Sequence, residues 1–343
     1  MTEPKILYGG QAVIEGVMMR GRNFVSCAVR RETGEIILKS ESIPKGVYAG
    51  VWSKTPFLRA LPLLWDTLVL GTRMLMWAAN VQMKDEMGKE RAKKGKEGKE
   101  GIKGTDGTRE ESEIRNLKSQ ISSMSRTNVK DQKSEDGLSQ NAIFGSLALS
   151  LGLGLAIFFA LPVLVANFLG NYGVTPFWNN IAEGVIRLAL FLAYLIAIGR
   201  IPEIQRVFMY HGAEHKTIAA YEASAQLVPA EVQKFSKEHP RCGTGFLLTV
   251  VVISIIFFVV LGDLSLGLRL VSRIVLIPFV AAVSYELIRF ASQHRRIFLF
   301  DWFIVRPSLA LQALTTRQPT DDMIEVAVAA FQDVRGKEVG SNQ

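Results

Sequence analysis

The residues best suited to chemistry in this chain are histidine and cysteine, and both are rare and clustered. The chain contains four histidines and two cysteines. Three of those histidines and one cysteine lie between positions 211 and 242, in the motifs YHGAEHK and HPRC. Imidazole nitrogen and thiolate sulfur are ligands that zinc-class divalent ions prefer in proteins. Their concentration therefore predicts a metal site, most simply a zinc site.

The stretch 202–222 is predicted to be a helix that presents part of this site on one face. Pro202 suits the first turn of a helix. Positions 211, 215, 218 and 222 share a face, which carries His211, His215 and Glu222, with Glu214 one step round. Two histidines four residues apart can bind one ion, and a neighbouring glutamate can be a third ligand or polarise a bound water.

The motif HPRC adds His239 and Cys242, separated by the two-residue gap common between metal ligands. Four closed ligands, His211, His215, His239 and Cys242, would form a structural site. Alternatively, H-x-x-E-H is the signature of inverted zinc hydrolases. Glu214 would then be the general base, and Glu222 or His239 would complete a catalytic site. The sequence leaves both alternatives open.

The same residues have an interpretation without metal. Tyr210, Glu214, Lys216 and Glu222 could form a salt-bridge network with the histidines. A free cysteine at the end of an apolar helix is often a small packing residue. These interpretations leave the clustering of the rare residues unexplained, so the metal site is the favoured hypothesis.

Long apolar segments must position this site. The chain is 48% hydrophobic, and its mean hydropathy is +0.20. Within 141–291, four segments are long and apolar enough to be membrane spans, namely 142–169, 182–199, 245–262 and 274–288. The predicted fold is therefore mainly α: a polytopic membrane protein with about four transmembrane helices and a small N-terminal β unit.

The basic residues predict the orientation of the spans. The loop 200–243 between the second and third spans carries Arg200, Arg206, Lys216, Lys234, Lys237 and Arg241. Basic residues favour the cytoplasmic side of a membrane. Both termini and this loop are therefore predicted to be cytoplasmic, in a bacterial inner membrane.

Polar segments flank the predicted spans. Residues 1–56 are predicted to form the β unit, with strands at 24–31 and 35–43 joined by a turn at Gly34. Residues 57–83 are predicted to form an amphipathic or membrane-embedded helix. Residues 84–140 mix charges of both signs with glycine, which predicts a disordered linker. Residues 292–343 are predicted to form a helical tail.

Composition excludes some classes of function. The net charge of +8 is explained by basic residues beside apolar segments, which makes nucleic acid an unlikely partner. Two distant cysteines give no disulfide framework, and the N-terminus lacks the pattern of a secretory signal. Arg187 and Glu286 fall within predicted spans and raise transport as an alternative. Four spans would need a homo-oligomer to form a pathway.

Several motifs together resemble the bacterial YqhQ-like membrane family of unknown function. They are GGQAVIEGVMMRG, YHGAEHKTIAAYE, HPRCGTGFLL, SYELIRFA and LTTRQPTDDMIEVA. The family is described as uncharacterised or as predicted metal-dependent enzymes. The resemblance implies that His211, Glu214, His215, His239 and Cys242 are site candidates. Further candidates for the same pocket are Glu15, Arg20, Lys216 and Arg241.

Two function classes remain at this point besides transport. The first is metal-dependent hydrolysis near the membrane surface, with Glu214 as base and an unknown protein or lipid headgroup as substrate. The second is a non-enzymatic membrane scaffold or assembly factor with a structural metal ion. The lipid bilayer is a predicted partner in every case.

Overall fold

The computed structural model describes residues 7–44, 55–100, 140–240, 242–262, 264–294 and 297–341. The protein is mainly helical with a small N-terminal antiparallel sheet, which confirms these two parts of the predicted fold. It divides into two compact units, Met1–Asp85 with Phe158–Gln343, and Glu86–Ile157. All the candidate site residues belong to the first unit.

The elements of the described residues follow the chain in this order. The strands are β1 (Gly9–Val13), β2 (Gly16–Arg20), β3 (Phe24–Arg30) and β4 (Ile36–Ser42). The helices are α1 (Ala60–Glu100), α2 (Gln140–Leu155), α3 (Leu161–Gly170), α4 (Pro176–Ile198), α5 (Pro202–Glu222), α6 (Pro229–Val232), α7 (Gly243–Val260), α8 (Leu266–Val275), α9 (Ile277–Gln293), α10 (Phe298–Phe300), α11 (Arg306–Thr315) and α12 (Asp321–Gly340). Two π-helical turns, Ala156–Ala160 and Asp301–Val305, join α2 to α3 and α10 to α11.

The sheet is a meander in the order β1-β2-β3-β4. The predicted hairpin is present as β3 and β4, and Gly34 in its turn has a φ of +89°, which glycine adopts readily. The glycine-rich stretch before it forms a second hairpin, β1 and β2, in addition to the two strands that the sequence predicts. Glu15 lies in the turn of that hairpin at a φ of +52°.

Helices cover both faces of the sheet. Successive residues of a strand point to opposite faces, so Val17 and Met19 of β2 pack with α5 and α12, whereas Met18 packs against α1. Helix α12 is anchored by Glu338, whose carboxylate accepts hydrogen bonds from the backbone N–H groups of Asn23 (2.5 Å) and Phe24 (2.9 Å). The result is a three-layer arrangement with the sheet in the middle.

Helix α1 continues beyond the boundary predicted at residue 83. It ends at Glu100, after a stretch rich in Lys and Glu. Those residues have high helix propensity, and charges of opposite sign three or four positions apart support a helix further. The remainder of the predicted linker, 101–139, lies outside the described residues.

Three helical segments among the described residues are long and apolar enough to cross a membrane: Ala148–Gly170, Pro176–Ile198 and Gly243–Val260. A fourth candidate consists of two helices, α8 and the stretch of α9 up to Ala291, that meet at a bend of 47°. Pro278 in the first turn of α9 accounts for the break, because proline lacks the N–H that would continue the ladder. The four predicted spans therefore correspond to three continuous candidates and one bent pair.

Candidate metal centre

Helix α5 carries the H-x-x-E-H motif on a buried face. It begins with Pro202 after the extended residue Ile201, and its second half is largely buried against the sheet and α12. The four-residue spacing brings the rings of His211 and His215 to 4.3 Å between centroids. This is the shared face that the spacing predicts.

Cys242 completes a three-residue cluster. It is the N-cap of α7, where its sulfur accepts a hydrogen bond from the backbone N–H of Thr244 (3.4 Å). Its Sγ lies 3.2 Å from Nε2 of His211. One ring nitrogen of each histidine and the Cys242 sulfur all lie within 4.8 Å of one another. Residues from two helices thus converge on one point with a donor set that suits a zinc-class ion.

Two backbone carbonyls orient the histidines. Nδ1 of His211 donates to the carbonyl oxygen of Thr315 (2.8 Å), and Nδ1 of His215 donates to that of Lys237 (2.6 Å). A carbonyl can only accept, so in each neutral ring the Nε2 atom keeps its lone pair for a ligand. Such anchoring is typical of metal-binding histidines. Burial, reinforced by the neighbouring His211, lowers the pKa of His215 to about 3, so its ring is neutral near pH 7.

The carboxyl group of Glu214 lies beside the cluster. Its Oε2 is 4.0 Å from Nε2 of His211, and the side chain is buried. The backbone N–H of Gly10 in β1 donates to this carboxyl group. Burial raises the pKa of Glu214 to about 8, although the nearby His211 and the Gly10 N–H act in the opposite direction. A carboxyl group in this position is poised to exchange protons near neutral pH.

Contact between β1 and α5 is close at this point. A Cβ on Gly10 would lie 2.6 Å from the carbonyl oxygen of Met18 and 2.9 Å from Cγ of Glu214. Gly10 belongs to the GGQAVIEG stretch, whose glycines predict close backbone approach. The N-terminal motif therefore contributes to the site through a backbone N–H.

Cys242 could act in two ways. Burial raises the pKa of its thiol, so without a metal ion the thiol is protonated and can donate to Nε2 of His211. Cys242 and His211 have the spacing of a nucleophile and its base. The raised pKa of the thiol, however, disfavours the thiolate that a nucleophile needs. A bound cation would instead deprotonate the thiol, so this environment favours a ligand.

His239 and Glu222 form a pair next to the cluster. Nε2 of His239 lies 3.4 Å from Oε2 of Glu222, and its ring is 5.8 Å from that of His215. Gln312 fixes the backbone of His239, accepting from its N–H (2.8 Å) and donating to its carbonyl (2.9 Å). Of the five predicted ligands, the structure thus brings three together and pairs the other two at the edge of the site.

The other pocket candidates support the surroundings of the site. Glu15 makes a bidentate ion pair with Arg206 (2.6 and 2.5 Å), one turn before the motif. Arg20 pairs with Asp66 of α1 (2.7 Å). Lys216 donates to two carbonyls of the segment that follows α6. Arg241 lies outside the described residues.

Both charges predicted to lie within spans are in ion pairs. Glu286 binds Arg59 through two hydrogen bonds of 2.7 and 2.5 Å. Arg187 pairs with Glu183 (2.7 Å), which also binds Arg273 (2.9 and 2.8 Å) and lies 3.4 Å from Arg269. These three arginines and Glu183 are all buried between α4 and α8. Sequence reasoning missed this network because its members lie about 90 residues apart.

Comparison with known proteins identifies relatives but no activity. The profile of a family described as "Protein of unknown function (DUF1385)" matches residues 55–337. A Bacillus subtilis (strain 168) protein, described as "Uncharacterized protein YqhQ", is 29% identical over 339 residues, which cover 98% of this chain and 94% of the relative. No solved structure matches the chain. The resemblance to the YqhQ-like family is thereby confirmed.

Proposed function

We propose that this chain, which belongs to the DUF1385 family of unknown function, is a membrane-bound, metal-dependent hydrolase. In this proposal His211, His215 and Cys242 hold a zinc-class divalent ion. Glu214 acts beside the ion as the general base. The site lies on the cytoplasmic side of a bacterial inner membrane.

The observation that carries the proposal is the preorganisation of the three ligands. Their donor atoms already lie within 4.8 Å of one another. Both imidazoles are held by Nδ1 hydrogen bonds to carbonyls, which leaves Nε2 available. A salt-bridge network would not require a thiol at the same point, nor two histidines held in the same tautomer.

Three protein ligands favour catalysis, because tetrahedral coordination then keeps one position open. An ion held there would supply Lewis-acid chemistry and lower the pKa of a bound water. Glu214 would accept the proton of that water and later return it to the leaving group. The N–H of Gly10 would hold the carboxyl group in place. The substrate class would be a peptide or a lipid headgroup, since the site would lie next to the bilayer.

Membrane placement is supported by the apolar helices and the distribution of charge. The three continuous candidate spans have mean hydropathies of 2.1 to 2.6. Basic residues are concentrated in the stretch 200–241 between the second and third candidates. On this basis that stretch and both termini face the cytoplasm.

The test is the metal content of the purified full-length protein, measured by mass spectrometry. Wild-type protein should carry near-stoichiometric zinc, and His211→Ala and Cys242→Ser should lose it. His294→Ala is the matched control, because His294 lies outside the cluster, where its ring contacts the carbonyl and the ring of Phe290. Substoichiometric metal that is the same in all four proteins would overturn the proposal. Glu214→Gln should retain the metal and lose hydrolysis.

A second candidate function is a scaffold or assembly factor with a structural ion. It is favoured by His239, whose ring is close enough to that of His215 (5.8 Å between centroids) for a modest rotation to provide a fourth ligand. In that case His239→Ala would lose metal as completely as His211→Ala. Under the hydrolase proposal, His239→Ala should retain metal. The transport alternative stays a prediction; the two charges that raised it, Arg187 and Glu286, are both in ion pairs.

A further inference from the structure

Between Leu61 and Met83, helix α1 has an apolar face that the described residues of its own compact unit do not cover. Large side chains on this face are between 38% and 68% exposed, although they are apolar. We call this set the α1 apolar face; it comprises Leu61, Trp65, Leu68, Leu75, Met76 and Met83. Their spacing places them on one side of a helix. Exposed apolar surface of this extent indicates an interaction site.

The opposite face of α1 is fixed to the sheet. Leu70, Met74 and Ala78 are buried in the core that α1 shares with β2 and β3. Ion pairs reinforce this contact, among them Arg20–Asp66 (2.7 Å) and Arg31–Asp85 (2.5 Å). A helix that packs along one side against a sheet is not surrounded by lipid, and α1 is not among the candidate spans. Helix α1 therefore has one exposed apolar side and one side that packs against the sheet.

The start of α1 is tied to the end of a candidate span. Arg59, immediately before α1, binds Glu286 in the last turns of α9. The chain that leaves α9 exposes a second apolar group at the same end of that helix. Its members are Phe298, Leu299, Trp302 and Phe303. Aromatic residues at the end of a span are typical of the membrane–water interface.

We propose that the α1 apolar face is buried in the interfacial layer of the lipid bilayer, so that α1 lies parallel to the membrane plane. The face begins where a candidate span reaches its polar end, which makes lipid its nearest apolar neighbour. An exposed apolar side opposite a side that is bound to protein and flanked by ion pairs suits an interfacial helix. The sheet on the back of α1 carries Gly10, so this helix holds the candidate metal centre close to the membrane surface.

This inference uses the membrane placement proposed above but not the metal ion. The test is a depth scan by electron paramagnetic resonance on the full-length protein in vesicles of phosphatidylethanolamine and phosphatidylglycerol. Nitroxides are attached to single introduced cysteines, and accessibility to oxygen is compared with accessibility to a water-soluble nickel complex. Protein without an introduced cysteine reports any labelling of Cys27 and Cys242. The scanned positions are Trp65, Leu68, Arg73, Met76 and Asn80, with Leu247 in α7 as the lipid control and Thr33 in the β3–β4 turn as the water control.

The depth of the labels in the bilayer should alternate with the helical period along α1. Labels at Trp65, Leu68 and Met76 should show several-fold higher oxygen-to-nickel ratios than those at Arg73 and Asn80. A steady change of depth along α1 would mean that the helix crosses the bilayer, which overturns the proposal. Ratios equal to that of Thr33 along the whole helix would also overturn it.

A second copy of the chain is the main competing occupant. If a second copy covered the α1 apolar face, the spectra of labels on that face would be broadened, and the broadening would disappear on dilution with unlabelled protein. That result would overturn the proposal. If the Leu247 label is itself exposed to water, the proposed membrane placement fails together with this one. Failure at α1 alone, with Leu247 in lipid, leaves the proposed placement of the spans intact.

Discussion

Replacing Gly10 by alanine should disturb Glu214 without touching a metal ligand. The new Cβ would lie 2.6 Å from the carbonyl oxygen of Met18 and within 3.0 Å of Cγ and Cδ of Glu214. The carbonyl is part of the β1–β2 ladder, in which Gly10 pairs with Met19. Strand β1 or the Glu214 side chain must therefore move.

The expected cost follows from this overlap. Overpacking a tight site typically costs about 1–3 kcal/mol. At an unfolding entropy of about 2.1 cal/mol/K per residue, a chain of 343 residues would then unfold roughly 1–4 °C lower. Gly9→Ala is the matched control, because a Cβ on Gly9 would meet nothing within 4 Å. It should leave the unfolding temperature of the protein almost unchanged.

Scanning fluorimetry and metal analysis on the two variants give the readouts. Gly10→Ala should unfold about 1–4 °C below Gly9→Ala and retain its metal, because the ligands lie on α5 and at the start of α7. Any hydrolytic activity should fall with the displacement of Glu214. If the two alanine variants have the same unfolding temperature, β1 is not in close contact with Glu214. The role assigned to β1 in the site would then be wrong.

Two further predictions concern buried polar groups away from the ligands. Glu183→Gln leaves three buried arginines without their shared carboxylate, so it should lower the free energy of unfolding by about 3–5 kcal/mol. The control Glu231→Gln removes an exposed ion pair with Lys234 and should lower that free energy by less than about 1 kcal/mol. Equal denaturation midpoints for the two variants would contradict the buried network. Thr315→Val should be nearly neutral or stabilising, because its buried hydroxyl oxygen has no hydrogen-bond partner among the described residues. A marked loss of stability or of metal in that variant would show that the hydroxyl has a role not identified so far.

The sequence predicts those parts of the site that depend on local geometry. Helical spacing is enough to place His211 and His215 together, and the rarity of cysteine identifies Cys242 as their partner. The hairpin at Gly34 and the apolar segments are local patterns of the same kind. The order of these patterns along the chain also predicts a mainly helical protein with an N-terminal sheet.

Other features depend on contacts that spacing does not encode. Nothing in the sequence indicates that carbonyls of Thr315 and Lys237 orient the histidines, because every residue has a carbonyl. The two-residue gap predicted that His239 and Cys242 act alike. The structure instead has a turn in which the Cys242 N–H donates to the His239 carbonyl (3.2 Å). That turn places the Cys242 sulfur at His211 and the His239 ring at Glu222.

X-ray absorption at the zinc edge of the purified full-length protein tests the central claim most directly. The account predicts a bound ion with one sulfur neighbour at about 2.3 Å and histidine nitrogens at about 2.0–2.1 Å. Cys242→Ser should remove the sulfur, and Cys27→Ala should not, because Cys27 is buried in the core beneath α1. Protein that binds no zinc when supplied with it, or a zinc shell in which the sulfur survives Cys242→Ser, would contradict the account.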